Sequence, residues 1–366
     1  MPLPQSRPRV RRNIAGSARS VTVPAMRIVS DPVAANDATP LVSVVIPAYN
    51  SERYIADTID SILRQDYPAL EIWVVDDGSE DNTQAIVRGY GDKVQLLTQQ
   101  NQGSAAARNL GVMHAHGKYI AFLDADDVWR KDKTSLQVDA LRKTGYKMAY
   151  SSFIRWHPDA QGRYAPPDSL FDTPHHPDTT SARIVTGWVY ADLLLDCIVW
   201  TSSVMVEKAE LVKAGLFDET LRKGQDYDLW LRLSHQIEML GLQQPTALYR
   251  IHPDNITSAV KDVNYEYLIL TRALARWGEA SPDQRRPAGS VSARLAKSCF
   301  VHGCQHLLLG NPRIAAQDFY LTMKHSGPRA KPLLYLALAL AKCFFQLFMH
   351  RRQIKMPAKE HSSLIS

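Results

Sequence analysis

Ordered structure is expected to begin near Leu41. Residues 41–47, Leu-Val-Ser-Val-Val-Ile-Pro, form a nearly unbroken β-branched run, the pattern of a strand buried on both faces. Between Tyr54 and Gln65 the period changes: Tyr54, Ile55, Ile59, Ile62 and Leu63 fall on one side of a helix. The pattern then predicts a strand over Glu71–Val75, a helix near 81–89, a strand over Val94–Leu97, a helix over Ala105–His114 and a strand over Tyr119–Leu123. Strands alternating with helices predict an α/β fold built on a parallel, doubly wound sheet. Ligands of such sheets bind beyond the carboxyl ends of the strands.

Residues 157–180, rich in Pro, His and Asp, predict an irregular insertion. A helical stretch (187–196), an apolar segment (Cys197–Val206) and a helix (207–214) follow. From 262 to 325 the pattern is helical, with breaks near 280–287 and 310–312. The segment Leu333–Met349 is the most apolar of the chain, but it is short for a bilayer span. Lys342, Gln346 and His350 fall at i, i+4 and i+8 and predict a polar stripe down its second half. That suits a helix lying flat at a membrane interface, and equally one packed on the α/β domain.

Charge is unevenly placed. Residues 1–40 hold six arginines against two aspartates, and residues 324–366 hold eight Lys or Arg against Glu360 alone; the middle of the chain is acidic. A nucleic-acid module carries its positive charge on the folded domain, so that class is excluded. Basic ends suit an anionic cytoplasmic membrane surface instead. Residues 1–40 lack the apolar core of a secretory signal and read as a disordered basic leader. Cys197, Cys299, Cys304 and Cys343 form no paired motif and read as buried, reduced thiols of a cytoplasmic protein.

The placement of acidic residues carries the chemistry. Asp76 and Asp77 close one predicted strand, while Asp124, Asp126 and Asp127 close another. Two carboxylate clusters at one sheet edge repel unless a cation lies between them. Hard divalent ions take such oxygens together with substrate phosphates, so Asp-x-Asp points to a metal–diphosphate site; solvated loop aspartates give the same string. Asp77-Gly78-Ser79 reads as turn chemistry or as a carboxylate facing a base or ribose. Asn101–Asn109 leads a glycine turn into a small-residue helix, with Arg108 in reach of a phosphate. Asp226, where a helix should begin within the segment Gly224–Leu233, reads as an N-terminal helix acid or as a general base for an acceptor hydroxyl.

In this order, Val-Ser-Val-Val-Ile-Pro-Ala-Tyr-Asn (42–50), Val-Val-Asp-Asp-Gly-Ser (74–79), Asn-Gln-Gly…Ala-Arg-Asn (101–109), Leu-Asp-Ala-Asp-Asp (123–127) and Gly-Gln-Asp-Tyr-Asp-Leu-Trp-Leu-Arg (224–232) resemble the family 2 inverting glycosyltransferases of bacteria. The resemblance spans about 41–258. It implies a GT-A fold, with a Rossmann-like, mostly parallel sheet flanked by helices: a nucleotide-binding half over 41–130 and an acceptor half over 131–258. A helical C-terminal region, 259–366, follows. Carried over by position, it implies that Pro47, Ala48, Tyr49 and Glu52 line the nucleotide pocket. Asp77, with Asp76, would face the base, Arg108 would lie beside the nucleotide and Asp124 would meet the ribose. Asp126 would bind the Mg²⁺ or Mn²⁺ on the diphosphate, His252 would approach that metal, and Asp226 would be the catalytic base. Gln225 departs from the family, which usually has Glu there.

The implied function is transfer of one sugar from a nucleoside-diphosphate donor, UDP by family prior, to a saccharide or lipid-linked acceptor in cell-envelope, exopolysaccharide or lipopolysaccharide assembly. A processive polysaccharide synthase would bring several spans and Gln-x-x-Arg-Trp, whereas Ala273 precedes Arg276-Trp277 here. A nucleotidyltransferase would have a glycine-rich, Lys-containing loop after the first strand. A non-catalytic adaptor would have lost Asp126 or Asp226.

Overall fold

The computed structural model describes residues 39–172, 184–253 and 260–354, with side chains as far as residue 346. Nearly all of the expected basic leader, part of the 157–180 insertion and His350's side chain lie outside the described residues. The first half follows the predicted alternation: β1 (Val42–Ala48), α1 (Ile55–Leu63), β2 (Leu70–Asp76), α2 (Thr83–Arg88), β3 (Gln95–Thr98), α3 (Ser104–His114) and β4 (Tyr119–Phe122). All three pairings among these strands, β1 with β2, β1 with β4 and β2 with β3, are parallel. Alternate residues of β1 feed two cores: Val45 packs with Phe122 and Val112 on one face, and Val44 and Ile46 pack with Ile59 and Val74 on the other. This is why the strand reads as continuously apolar. Helix α3 lies so close to the sheet that a Cβ on Gly111 would come within 2.5 Å of Val45 Cγ1. Its small residues Ala105, Ala106 and Ala107 are buried for the same reason.

The chain continues through β5 (Val128–Trp129), α4 (Lys133–Thr144), β6 (Met148–Trp156), α5 (Pro167–Phe171), α6 (Tyr190–Leu193), β7 (Met205–Glu207), α7 (Lys208–Lys213), α8 (Gln225–Leu233) and β8 (Leu240–Arg250). The strands form one sheet of order β3-β2-β1-β4-β7-β6-β8-β5. Strand β7 runs antiparallel to β4 and β6, β8 is parallel to β6, and β5 is antiparallel to β8. The long strands β6 and β8 have no counterpart among the predicted elements. The predicted helix at 187–196 shrinks to the single turn of α6. The apolar segment after it is irregular, with a 3₁₀ turn at Thr201–Ser203 before β7.

Helices α9 (Tyr265–Trp277), α10 (Val291–Leu308), α11 (Pro312–Ser326) and α12 (Ala330–Ile354) complete the described chain, with breaks where the sequence places them. Among the described residues, no helix is long and apolar enough to cross a membrane. Lys342 and Gln346 do share a side of α12, where they donate to Leu307 O at 3.5 Å, in the last turn of α10, and to Gly310 O at 3.1 Å, in the α10–α11 turn. The thiols depart from expectation: Cys299 is buried and Cys304 and Cys343 are half-buried, but Cys197 is exposed. The collapse of the predicted helix leaves Cys197 in irregular chain beside the site described next.

Candidate active site

Parallel register brings the chemistry to one edge. Ala48 pairs with Asp76, so the loops after β1 and β2 leave the sheet together. They are laced by hydrogen bonds: Asn50 N donates to Ser79 Oγ at 2.9 Å and Glu80 N to Asn50 Oδ1 at 2.8 Å. Of the residues expected to line a nucleotide pocket, Ala48 is buried, Pro47 half-buried and Tyr49 exposed. The Glu52 carboxylate accepts from Asn82 Nδ2 at 2.8 Å, on the loop after β2.

The two adjacent aspartates do different work. Asp77 organises the glycine-rich loop before α3: its Oδ1 accepts from Gln99 Nε2 at 2.7 Å and Gln102 N at 2.8 Å, and its Oδ2 from Gly103 N at 2.7 Å. Gly78 permits this approach. Its φ is +79°, and a Cβ would lie 3.0 Å from Asn101 N. Asp76 is wholly buried; its Oδ2 accepts from Gln84 Nε2 at 2.7 Å, while Oδ1 has no hydrogen-bond partner among the described residues. A buried acceptor left open in this way costs stability unless a ligand or water meets it.

The segment after β4 gathers most of the charge. Arg108, buried on α3, donates through Nη2 to Asp124 Oδ1 at 2.6 Å, and its Nε and Nη1 have no partner among the described residues. Burial raises the Asp124 pKa; Arg108 opposes this, and the charges of Asp126 and Asp226 raise it further. Asp126 Oδ2 lies 2.9 Å from His252 Nε2, and the His252 ring packs against Tyr54 at 4.6 Å between centroids. Asp127 turns the other way: it is fully buried, accepting from Ser202 Oγ at 2.6 Å and Arg250 N at 3.2 Å. Burial, then repulsion from Asp126 and Asp124, pushes its pKa well above the usual carboxylate value.

Arg250 is the residue that sequence reading passed over. Its side chain is buried within 4.2–4.9 Å of the Tyr54, Trp156 and Tyr164 rings. Its Nε donates to Asp126 O at 2.8 Å and its Nη2 to Asp57 Oδ2 at 2.8 Å. The main chain of Asp126 is therefore held by a cation from β8. The sequence signal was only an arginine two residues before His252, and its partner Asp57 lies 193 positions away.

Asp226 opens α8. Gly224 precedes it at φ +73°, and a Cβ there would strike Ile269 Cδ1 at 2.7 Å. Asp226 Oδ2 accepts from Thr201 Oγ1 at 2.8 Å and Oδ1 from Tyr227 N at 2.8 Å. Its charge acts on both Asp124 and the Cys197 thiol, which places the three in one electrostatic neighbourhood. Gln225 and Arg222 tie this helix start to the glycine loop through Ser104 Oγ and Gln102 O. The structure thus brings Arg108, Asp124, Asp126, His252 and Asp226 together. Asp76 and Asp77 occupy the adjoining strand end, and Glu52 hydrogen-bonds to the loop beyond them.

Asp126 and His252 offer one oxygen and one nitrogen to a divalent ion. Among the described residues no group of three His, Cys, Asp or Glu side chains could hold a metal alone. That donor set fits an ion whose other ligands come from phosphates and water, the usual habit of Mg²⁺.

A half-parallel sheet gathers carboxylates, a buried arginine and a helix-start aspartate at one edge. The model of Glycosyl transferase family 2 matches residues 43–187. TuaG of Bacillus subtilis (strain 168), whose name assigns it to teichuronic acid biosynthesis, is 31% identical over 225 residues, covering 60% of this chain and 82% of that one. WfgD of Escherichia coli, named as a UDP-Glc:alpha-D-GlcNAc-diphosphoundecaprenol beta-1,3-glucosyltransferase, is 29% identical over 223 residues, 60% of this chain and 80% of that one. Staphylococcus aureus TarS 1–349, solved with UDP-GlcNAc, superposes with a TM-score of 0.55 at 19% identity, covering 82% of this chain and 88% of that one. The chain belongs to glycosyltransferase family 2.

Proposed function

We propose that this enzyme transfers a single sugar from a UDP-sugar to a hydroxyl of a lipid-linked saccharide, with inversion, at the cytoplasmic face of the membrane. The observation that carries the reading is the placement of Asp226 at the start of α8, oriented by Thr201 and within electrostatic reach of Asp124. Asp76, Asp77 and Arg108 would receive the nucleoside; Asp76 Oδ1 and two Arg108 nitrogens are buried polar atoms that a ligand would satisfy. Asp124 would hold the ribose side. Asp126 and His252 would hold Mg²⁺ or Mn²⁺, which when bound offsets charge on the departing diphosphate.

Asp226 would accept the proton of the acceptor hydroxyl as that oxygen attacks the anomeric carbon. Thr201 Oγ1 and Tyr227 N hold the carboxylate by one oxygen each, fixing its direction. One in-line displacement leaves the product inverted and needs no covalent sugar–enzyme bond. The UDP preference and the lipid-linked acceptor draw support from the substrates in the name of WfgD.

The test is a hydrolysis screen: purified protein, Mn²⁺ and a panel of UDP-, GDP- and dTDP-sugars, reading released nucleoside diphosphate. A UDP-sugar should be turned over, and Asp126→Ala should abolish the Mn²⁺ dependence. Turnover confined to another nucleotide, or undiminished in Asp126→Ala, would remove the respective assignment.

A further inference from the structure

Helices α10, α11 and α12 line a groove of about 470 Å³, open to solvent, that has no part in the site above. Lys297, Arg329 and Lys331 line it, with His325 and Phe300, and no carboxylate does. No ion pair engages those three cations among the described residues. His325 faces Tyr267, 3.2 Å from its hydroxyl, and Lys331 Nζ stands 5.1 Å from the Phe300 ring centre. All three are exposed, so water screens much of their mutual repulsion, and a bound anion would relieve the rest.

The lip of the groove continues into an apolar face. Lys331 and Pro332 line it, and Leu333 and Leu334 follow directly, both exposed. Along α12 the inward side is Pro332, Tyr335, Leu336, Ala339 and Cys343, all buried or half-buried. The outward side carries Leu338, Leu340, Phe344 and Phe345, the phenylalanines 74% and 63% exposed. At 100° per residue, positions 333, 334, 337, 338, 340, 341, 344 and 345 span an arc of roughly 160°. Lys342 and Gln346 fall outside that arc and bend toward the α10–α11 turn. A wide, outward apolar arc is costly in water and marks an interaction surface.

We infer that this face docks the enzyme on a bilayer containing anionic phospholipid, with α12 lying in the interface and a headgroup phosphate seated in the Lys297–Arg329–Lys331 groove. The inference deepens the membrane placement proposed above. Charge complementarity selects the occupant: cationic residues beside an apolar helix match an anionic headgroup beside acyl chains. Among the described residues no helix is long and apolar enough to cross a membrane; the docking inferred here is peripheral and reversible.

The test is co-sedimentation of the full chain with vesicles of phosphatidylcholine, alone or mixed with phosphatidylglycerol. The protein should bind the mixed vesicles, bind the neutral ones poorly, and be released as salt rises. Lys297→Ala with Arg329→Ala should weaken partitioning about thirtyfold, taking a typical contribution per cation near an anionic surface. Phe344→Ser with Phe345→Ser should weaken it at least tenfold. Equal binding to neutral vesicles, salt-insensitive binding by the unaltered protein, or unchanged binding by either variant would overturn the inference. So would a dimer in gel filtration that the phenylalanine variant abolishes and vesicles fail to dissolve. Hydrolysis of the donor in solution should be unchanged in both variants; its absence in the unaltered protein would count against the catalytic reading and leave this one standing.

Discussion

Arg250→Lys separates the support of Asp126 from bulk and charge. Lysine keeps the cation among the Tyr54, Trp156 and Tyr164 rings, but a single ammonium cannot reproduce the guanidinium fork that serves Asp126 O and Asp57 at once. The Asp57 side chain is 59% exposed, so its ion pair contributes only a few tenths of a kcal/mol. The hydrogen bond to Asp126 O joins a charged donor to a partly buried carbonyl and is worth about 1.5–3 kcal/mol. The variant should therefore lose about 2 kcal/mol, lowering Tm by about 3 °C for a domain this large. The functional effect should be more specific. With its main chain released, the Asp126 carboxylate is less well placed, and supporting residues of this kind typically change metal affinity by about 10–100-fold. Thermal unfolding followed by dye fluorescence gives the first quantity, and a Mn²⁺ titration of donor hydrolysis the second. A lowered Tm with an unchanged Mn²⁺ midpoint would make Arg250 a fold element only. No change in either would refute the argument.

Two further outcomes follow from the hydrogen-bond map. Asp77→Asn sets an amide donor against Gln102 N or Gly103 N, which both donate to the carboxylate now, so the glycine-rich loop should loosen. A several-fold rise in donor KM with kcat little altered is expected, and steady-state hydrolysis kinetics would check it. The second concerns His302. Burial pulls its pKa down, but Asp318 Oδ2 at 2.6 Å, Lys261 O at 2.8 Å and the Asp318 and Asp262 charges raise it overall above the ordinary value. A pKa raised in the folded state adds stability that is complete below the unfolded value, near 6.5, and is lost as pH rises through the folded value. The Tm advantage of the unaltered protein over His302→Gln should thus shrink from pH 6 to pH 8; an advantage that grew would reverse the sign.

The first half of the fold was legible because its strands lie buried between helices, so composition and local period agree. Leu41–Pro47 and Tyr119–Leu123 read correctly since no polar face interrupts them. Strand β8 hid: Gln243, Gln244 and Pro245 break its apolar run, and it is held by β6, some 90 residues earlier. The helix expected at 187–196 failed because its apolar residues are buried by tertiary contacts and not by a helical face; Tyr190, Leu193 and Leu194 all join the central core. In the site, aspartates at strand ends were legible because turn and strand chemistry place them. Arg250, Ser202 and Thr201 were not, because each acquires meaning only through a partner remote in sequence: Asp57, Asp127 and Asp226 respectively. Asp127 was grouped with Asp124 and Asp126 at the strand end and given no role of its own. One residue beyond Asp126 it faces the interior, as the turn from Asp124 O to Asp127 N requires.

Donor binding and sugar transfer, measured side by side in Asp226→Asn, test the account most directly. The substitution keeps the Thr201 hydrogen bond but removes the proton acceptor. The variant should bind UDP-sugar with Mn²⁺ as the unaltered enzyme does and transfer sugar at least a hundredfold more slowly, the lower range of general-base contributions. Transfer at the original rate, or loss of donor binding together with transfer, would contradict the assignment of Asp226 as the base.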